Sequence, residues 1–218
     1  MRIKEQLVGS RAKTYGEGNR ALFITVHETA NRNRGAGAQA HANLQSRGNV
    51  RNASWHWQVD DREAIRSYPD SVQCWHAGDG RGPGNLNSIA IEICVNSDSD
   101  YEQALSNAAE LVRRIRAEHG IPASRVVQHN RWSGKNCPAI LRSRGSQAWQ
   151  RFVASTEPGG STSTPPATST PPARSVAAMA TEVIAGKHGN GHANRRRSLG
   201  VSGSVYEQVR AEVNRRLA

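Results

Sequence analysis

The stretch from Glu157 to Arg174, EPGGSTSTPPATSTPPAR, most limits what this chain can fold into. It combines Pro, Gly, Ser and Thr with no periodic apolar face, so it has nothing to bury and reads as an extended, solvated linker. The chain is thereby divided into residues 1–156, a connector at 157–174, and residues 175–218. The first unit has the size of an ordinary domain, whereas the last is small enough to be marginal alone.

Within the first unit, Leu22 to Val26 (LFITV) is a short run of β-formers and predicts a buried strand that presents His27 at its C-terminal end. Ala38 to Arg47 predicts a helix closed at Gly48-Asn49, and Ser54 to Val59 with Ala64 to Tyr68 predicts a hairpin turning at Asp60-Asp61. Ile89 to Val95 (IAIEICV) alternates strictly, setting Ile89, Ile91, Ile93 and Val95 on one face and Glu92 on the other. A carboxylate among small apolar residues of a central strand needs a reason. Asp100-Tyr101-Glu102-Gln103 has capping-box form, with Leu105, Ala108, Ala109, Val112 and Ile115 at helical spacing behind it and Gly120 closing the run. Strands mixed with flanking helices predict an α/β or α+β unit, in the α/β case a mixed central sheet covered by helices. In the last unit, Val176, Met179, Ala180, Val183 and Ile184, then Val205, Val209, Val213 and Leu217, predict an all-helical module.

The formal charge of +11 points to an anionic partner, and the basic excess is spread over both units. Three cysteines are too few for a disulfide framework, although the sequence leaves a bridge between Cys74 and Cys94 open. The N-terminus lacks the apolar core of a signal peptide and no run of 18 apolar residues occurs, so neither a cleaved leader nor a membrane span is expected. Aromatic residues are only 5%, yet Trp55, Trp57, Trp75 and Trp132 all stand within a few residues of a histidine.

His129 and Cys137 lie eight positions apart across a loop containing Gly134, which can fold both toward one point. Zinc takes imidazole nitrogen and thiolate sulfur together, and a catalytic zinc keeps three protein ligands and one open position. His27 at its strand end is the natural third ligand. The ordered series Thr25-Val26-His27-Glu28-Thr29, Ser54-Trp55-His56, Trp75-His76-Ala77-Gly78-Asp79, Ile91-Glu92-Ile93 and His129 to Pro138 resembles the zinc amidase family of T7 lysozyme, Bacillus-type phage endolysins and the animal peptidoglycan recognition proteins. The resemblance spans most of the first unit. It implies one Zn²⁺ held by His27, His129 and Cys137, with Glu92 handling the proton of the attacking water and Lys135 beside the ligand cysteine stabilising the oxyanion. The bond it implies joins N-acetylmuramic acid to the L-alanine of the stem peptide. Relatives of the T7 type carry a tyrosine near Trp55, which this chain lacks, favouring Glu92 as the proton carrier. His76, Trp75 and Trp55 are then candidates for lining the substrate site, and His56 for supporting the fold.

The segment Glu182 to Gly191 (EVIAGKHGNG), followed by Arg197, Leu199, Gly200 and Tyr206, resembles one repeat of the wall-binding module of pneumococcal-phage lysozymes, a three-helix bundle. Lys187, Gly189, Asn190, Gly191, Arg197 and Tyr206 are its candidate wall contacts, while His188 stands where that family usually has Trp. The layout implies a peptidoglycan hydrolase acting as a monomer on the cell wall, with anionic wall polymers as a further partner and a holin pore for release. A non-catalytic peptidoglycan receptor on the same fold is the alternative, and Cys137 argues against it, since such receptors replace the ligand cysteine. A nucleic-acid binder is suggested only by basic charge and Arg195-Arg196-Arg197, without any recognition motif.

Overall fold

A computed structural model describes residues 1–157, 175–188, 192–199, 201 and 203–217, and the chain divides into two compact units at residues 164 and 165. The expected linker, 157–174, lies almost wholly outside the described residues. The first unit runs β1 (Arg2–Glu5), β2 (Thr14–Glu17), β3 (Phe23–Glu28), α1 (Ala38–Ser46), β4 (Trp57–Val59), β5 (Glu63–Arg66), β6 (Val72–Cys74), α2 (Pro83–Asn87), β7 (Ser88–Ile93), α3 (Tyr101–His119), β8 (Val126–Gln128), α4 (Asn130–Ser133), α5 (Ala139–Ser143) and α6 (Ser146–Ala154). Six strands form one mixed sheet in the order β1-β5-β4-β7-β3-β8, and β2 pairs with β6 in a separate antiparallel ribbon. This is the expected α/β architecture, with the hairpin β4–β5 as its only antiparallel pair in the main sheet among the described residues.

The period of two along each strand sorts the sheet into an apolar and a polar face. Ile24, Val26, Trp57, Val59, Ile89, Ile91 and Ile93 share one core cluster with Ala104, Ala108, Leu111, Val112 and Ile115 of α3. Each fully buried Ile, Leu or Val side chain contributes about 1.5–3 kcal/mol by leaving water, so this layer dominates the stability of the unit. On the opposite face, Ile65 and Cys94 pack under Ala38 and Ala42 of α1. Thr25, His27, Gln58, Ala90 and Glu92, one residue out of phase with the isoleucines, must therefore point to that second side, where α1 covers only part of the sheet.

The long helix α3 starts where Asp100 accepts from the backbone N–H groups of Glu102 and Gln103, and stops at Gly120, whose φ of 66° a residue with a side chain adopts only at a cost. Only half of the capping box forms. The backbone N–H of Asp100 donates to Asp61 at 3.3 Å and the Gln103 amide turns to Asn107, so the cap is tied to the hairpin turn instead. Cys74 and Cys94 are both free and buried; they do not bridge, and burial pushes both thiols up.

The second unit contains α7 (Val176–Ile184), α8 (His192–Leu199) and α9 (Gly203–Leu217), the three helices expected. Met179, Ala180, Val183, Leu199, Tyr206, Val209 and Val213 form its core. No helix of the described residues is long and apolar enough to cross a membrane.

Candidate metal centre and active site

Three parallel strands deliver the chemistry to one end of the sheet. β3 lies between β7 and β8 with His27 opposite Glu92 and Val26 opposite Gln128, so His129, the residue after β8, comes level with His27. The carboxyl ends of parallel strands are where open α/β sheets collect functional groups. Cys137 is returned to the same place by a loop that Asn130 closes: its backbone N–H donates to the Cys137 carbonyl at 3.1 Å, and its side-chain amide donates to the carbonyls of Gly134 and Lys135. Gly134 makes the turn with a φ of 74°.

His27, His129 and Cys137 are all buried, and one ligand atom from each lies within 4.8 Å of the others. His129 Nε2 faces the Ala77 carbonyl at 2.9 Å, an acceptor only, so Nε2 carries the proton and Nδ1 holds the lone pair. That Nδ1 is buried without any partner, and so is Oε2 of Glu92. His27 Nδ1 stands 4.0 Å from Cys137 Sγ and 3.9 Å from Glu92 Oε1. Two imidazole nitrogens, a sulfur and orphaned buried acceptors converging on one point are what a borderline-soft divalent cation such as zinc requires. The residues present fit the metal.

Electrostatics agree. Burial first, then the neighbouring His76 and His129, hold His27 well below the usual histidine range, and burial followed by Lys135 lowers His129, so both stay neutral as ligands must. Burial, and then Glu92, push the Cys137 thiol up to about 12, while the Glu28 backbone N–H, 3.5 Å from Sγ, and Lys135 work the other way. A cysteine nucleophile needs a depressed pKa. This one needs a cation to lose its proton, which suits a ligand better than an attacking group. Burial raises Glu92 to about 7, with Lys135 the largest opposing influence. A carboxyl poised there can take and return a proton near neutral pH.

Residues 17–140 match the family model described as N-acetylmuramoyl-L-alanine amidase, a span that contains every residue of this centre. This chain belongs to that amidase family. Residues 177–217 match the model of the CW_7 repeat. The chain is 46% identical over 140 residues to the N-acetylmuramoyl-L-alanine amidase XlyA of Bacillus subtilis (strain 168), covering 64% of this chain and 46% of XlyA. It is 45% identical over 145 residues to the amidase CwlH of the same strain, covering 66% of this chain and 55% of CwlH. It thus spans about half the length of these two relatives. The solved catalytic domain of XlyA superposes with a TM-score of 0.67 at 40% identity, over 72% of this chain and all of that one.

The other expected site residues of the amidase-family domain fall in different places. Lys135 is exposed on the ligand loop. Trp75 is half-buried, its ring 5.3 Å from that of Tyr15. Trp55, expected to line the substrate site, is instead a core residue: it is 5% exposed and its Nε1 donates to Gln58 at 2.8 Å. His76 is half-buried, with Nδ1 3.1 Å from His27 Nε2. His56 supports the fold as expected, accepting from the Ala90 backbone N–H and facing the Val72 carbonyl with its other nitrogen. A second cluster, Asp70, Glu118 and His119, has two exposed members, and its buried carboxylate already serves Trp57, Arg66 and His119.

In the CW_7 unit, Lys187 is exposed, and Tyr206 is buried with its hydroxyl 3.1 Å from His192 Nδ1. His188 lies between Glu182 and Ser198, at 2.9 and 2.8 Å. Gly189, Asn190 and Gly191 lie outside the described residues, as does the side chain of Arg197.

In the sequence, Glu28 is marked only as a neighbour of His27. Its carboxylate accepts from the backbone N–H groups of Ile140 at 2.7 Å and Leu141 at 3.0 Å and from the Tyr101 hydroxyl at 2.7 Å. It thereby pins the segment just after Cys137 to the end of β3. Glu28→Ala leaves three donors unmatched, two of them backbone. A buried unsatisfied group costs about 1–3 kcal/mol, so a loss of about 3 kcal/mol or more in unfolding free energy is expected, read as a lower denaturant midpoint at fixed m-value.

Proposed function

We propose that this chain is a zinc-dependent peptidoglycan hydrolase that cuts the amide between N-acetylmuramic acid and the L-alanine of the stem peptide, its small unit holding it to the wall. The observation that carries the reading is the convergence of His27 Nδ1, the orphaned His129 Nδ1, Cys137 Sγ and the partly buried Glu92 carboxyl at one end of the sheet. The names of the relatives, N-acetylmuramoyl-L-alanine amidases, support the bond class.

His27, His129 and Cys137 would hold the zinc, which when bound supplies Lewis-acid polarisation of a carbonyl and lowers the pKa of water toward about 7. Glu92, raised to about 7, accepts the proton of the attacking water and returns it to the departing amine. The exposed Lys135 brings a cation to where the oxyanion develops. In the small unit, Lys187, Gly189, Asn190, Gly191 and Arg197 are assigned to the wall, whereas Tyr206, also expected there, is a core residue, and the basic chain as a whole suits anionic wall polymers. We assign its site of action to the cell wall and treat it as a monomer.

The test is digestion of purified peptidoglycan with mass spectrometry of the new ends, with chelator and with zinc added back. The expected products are stem peptides with free L-alanine amino groups, abolished by chelation and restored by zinc. New reducing sugar ends would make it a glycosidase. Binding without cleavage would make it a wall receptor.

A further inference from the structure

The imidazole of His27 can present a lone pair at Nδ1 only if its proton sits on Nε2, and the surrounding hydrogen bonds decide where that proton sits. Their direction can be read from an end that has no choice. The Gly84 carbonyl is an acceptor only, so the Ser88 hydroxyl, 2.6 Å away, donates to it. Ser88 Oγ must then accept from its other neighbours, the Thr25 hydroxyl at 2.8 Å and His76 Nε2 at 3.4 Å. Thr25 in turn accepts from the indole N–H of Trp132 at 2.9 Å, which again leaves its hydroxyl proton for Ser88. Backbone oxygens of Ser88 and Gly84 also lie beside the His76 ring. With its proton on Nε2, His76 offers the lone pair of Nδ1 to His27 Nε2–H at 3.1 Å. His27 Nδ1 is left free, facing Cys137 Sγ and Glu92.

We infer that His76 is a positioning residue for the metal: it accepts from His27 Nε2–H and, oriented by Ser88, locks His27 in the tautomer and ring orientation that present Nδ1. The origin of the relay is built into the fold. A Cβ on Gly84 would come within 2.5 Å of the Ala77 Cβ and 2.8 Å of the Trp132 ring, so only glycine lets α2 set its carbonyl there. Trp132 belongs to the loop between His129 and Cys137, so the same relay joins the two strand-borne residues Thr25 and Ser88 to the segment that carries the other ligands. Both nitrogens of His76 are occupied, so neither is left to bond substrate in this arrangement.

The inference rests on the zinc reading, but one of its readouts does not need the metal. Long-range proton–nitrogen correlation spectra of the metal-free protein report the His27 tautomer, and chelator competition reports zinc affinity. The expected result is Nε2–H on His27 in the wild type. In His76→Leu, that bias is expected to be lost and zinc to bind about 10- to 100-fold more weakly, the range for an outer partner of a ligand histidine. His76→Asn, whose Oδ1 occupies the place of Nδ1 and can accept the same proton, is expected to recover part of both. Should His76→Leu not fold, His76→Asn and Ser88→Ala carry the test, with Ser88→Ala expected to weaken zinc by a smaller factor. An Nδ1–H tautomer of His27 in the wild type, or unchanged zinc affinity in the foldable variants, overturns the inference. A wild type that takes up no zinc at all overturns the metal reading, and the tautomer then decides the inference separately.

Discussion

Glu92→Gln is expected to lower kcat for amide cleavage by about 10²- to 10⁴-fold, the usual contribution of a positioned general acid–base, while making the metal-free protein more stable at alkaline pH. Both effects have one cause. Glu92 is partly buried near the end of β7, its enclosed Oε2 has no partner, and its pKa is raised from 4.5 to about 7. A raised folded-state pKa means that the native protein prefers the protonated form, so ionisation works against folding. Stability is therefore full below the unfolded value near 4.5 and declines as pH rises through about 7, by about 3 kcal/mol for this group. Gln keeps the shape and removes the charge. Denaturant midpoints of the chelated proteins at pH 5 and pH 8 check this: the buried histidines, whose lowered pKa values make both proteins gain stability as pH rises, contribute equally to each, so the variant should gain more than the wild type by about that amount. Parallel profiles would show that the carboxylate is not strained. In the loaded enzyme, activity should fall on the acid side as Glu92 takes up its proton. That limb lies at or below about 7, because both Lys135 and a divalent cation favour the carboxylate. The destabilisation is the trade that functional sites commonly make.

The second large effect is expected from Cys137→Ser. A hydroxyl replaces the soft sulfur, and zinc affinity should fall by more than the roughly 100-fold that an outer partner commands, since a ligand itself is lost. Activity at trace zinc should vanish with it. The fold should remain, because the loop is still closed by Asn130 and pinned by Glu28 through groups that the substitution does not touch. Thermal melts with and without zinc provide the check: a ligand that binds only the native state raises the melting temperature, and the variant should lose that rise. A Cys137→Ser protein that binds zinc and cleaves normally would remove Cys137 from the ligand set. Loss of activity with zinc binding intact would point instead to a thiol nucleophile, a role opposed by a thiol pushed up to about 12.

Much of the frame of this site is legible in the amino-acid sequence. The alternation of Ile89 to Ile93 puts Glu92 on the face away from the isoleucine core, and the sheet register then sets it opposite His27. Helix α3 begins at Asp100 and ends at Gly120 because a cap and a left-handed glycine are local properties of the chain. Strand β1 is not legible. Arg2–Glu5 has no apolar pattern and pairs with β5 across some sixty residues, its ion pairs Arg2–Glu63 and Lys4–Glu63 formed only once the hairpin is in place. Trp55 misleads for a related reason. Adjacency to a histidine in sequence says nothing about which way an indole turns, and Gln58 draws it into the core.

The chain by itself determined the division into two units, the strands and the helix that frame the site, and the identity of the groups that meet there, because these follow from periodicity, from caps, and from residue types whose chemistry is intrinsic. The tertiary structure decided which nitrogen of His129 is free, that His76 faces His27, that Glu28 anchors the cysteine loop, and that burial raises the pKa of Glu92. Those depend on acceptors and burial contributed by β3, β7, α2 and the loop after β8, segments remote in sequence whose approach no local pattern encodes.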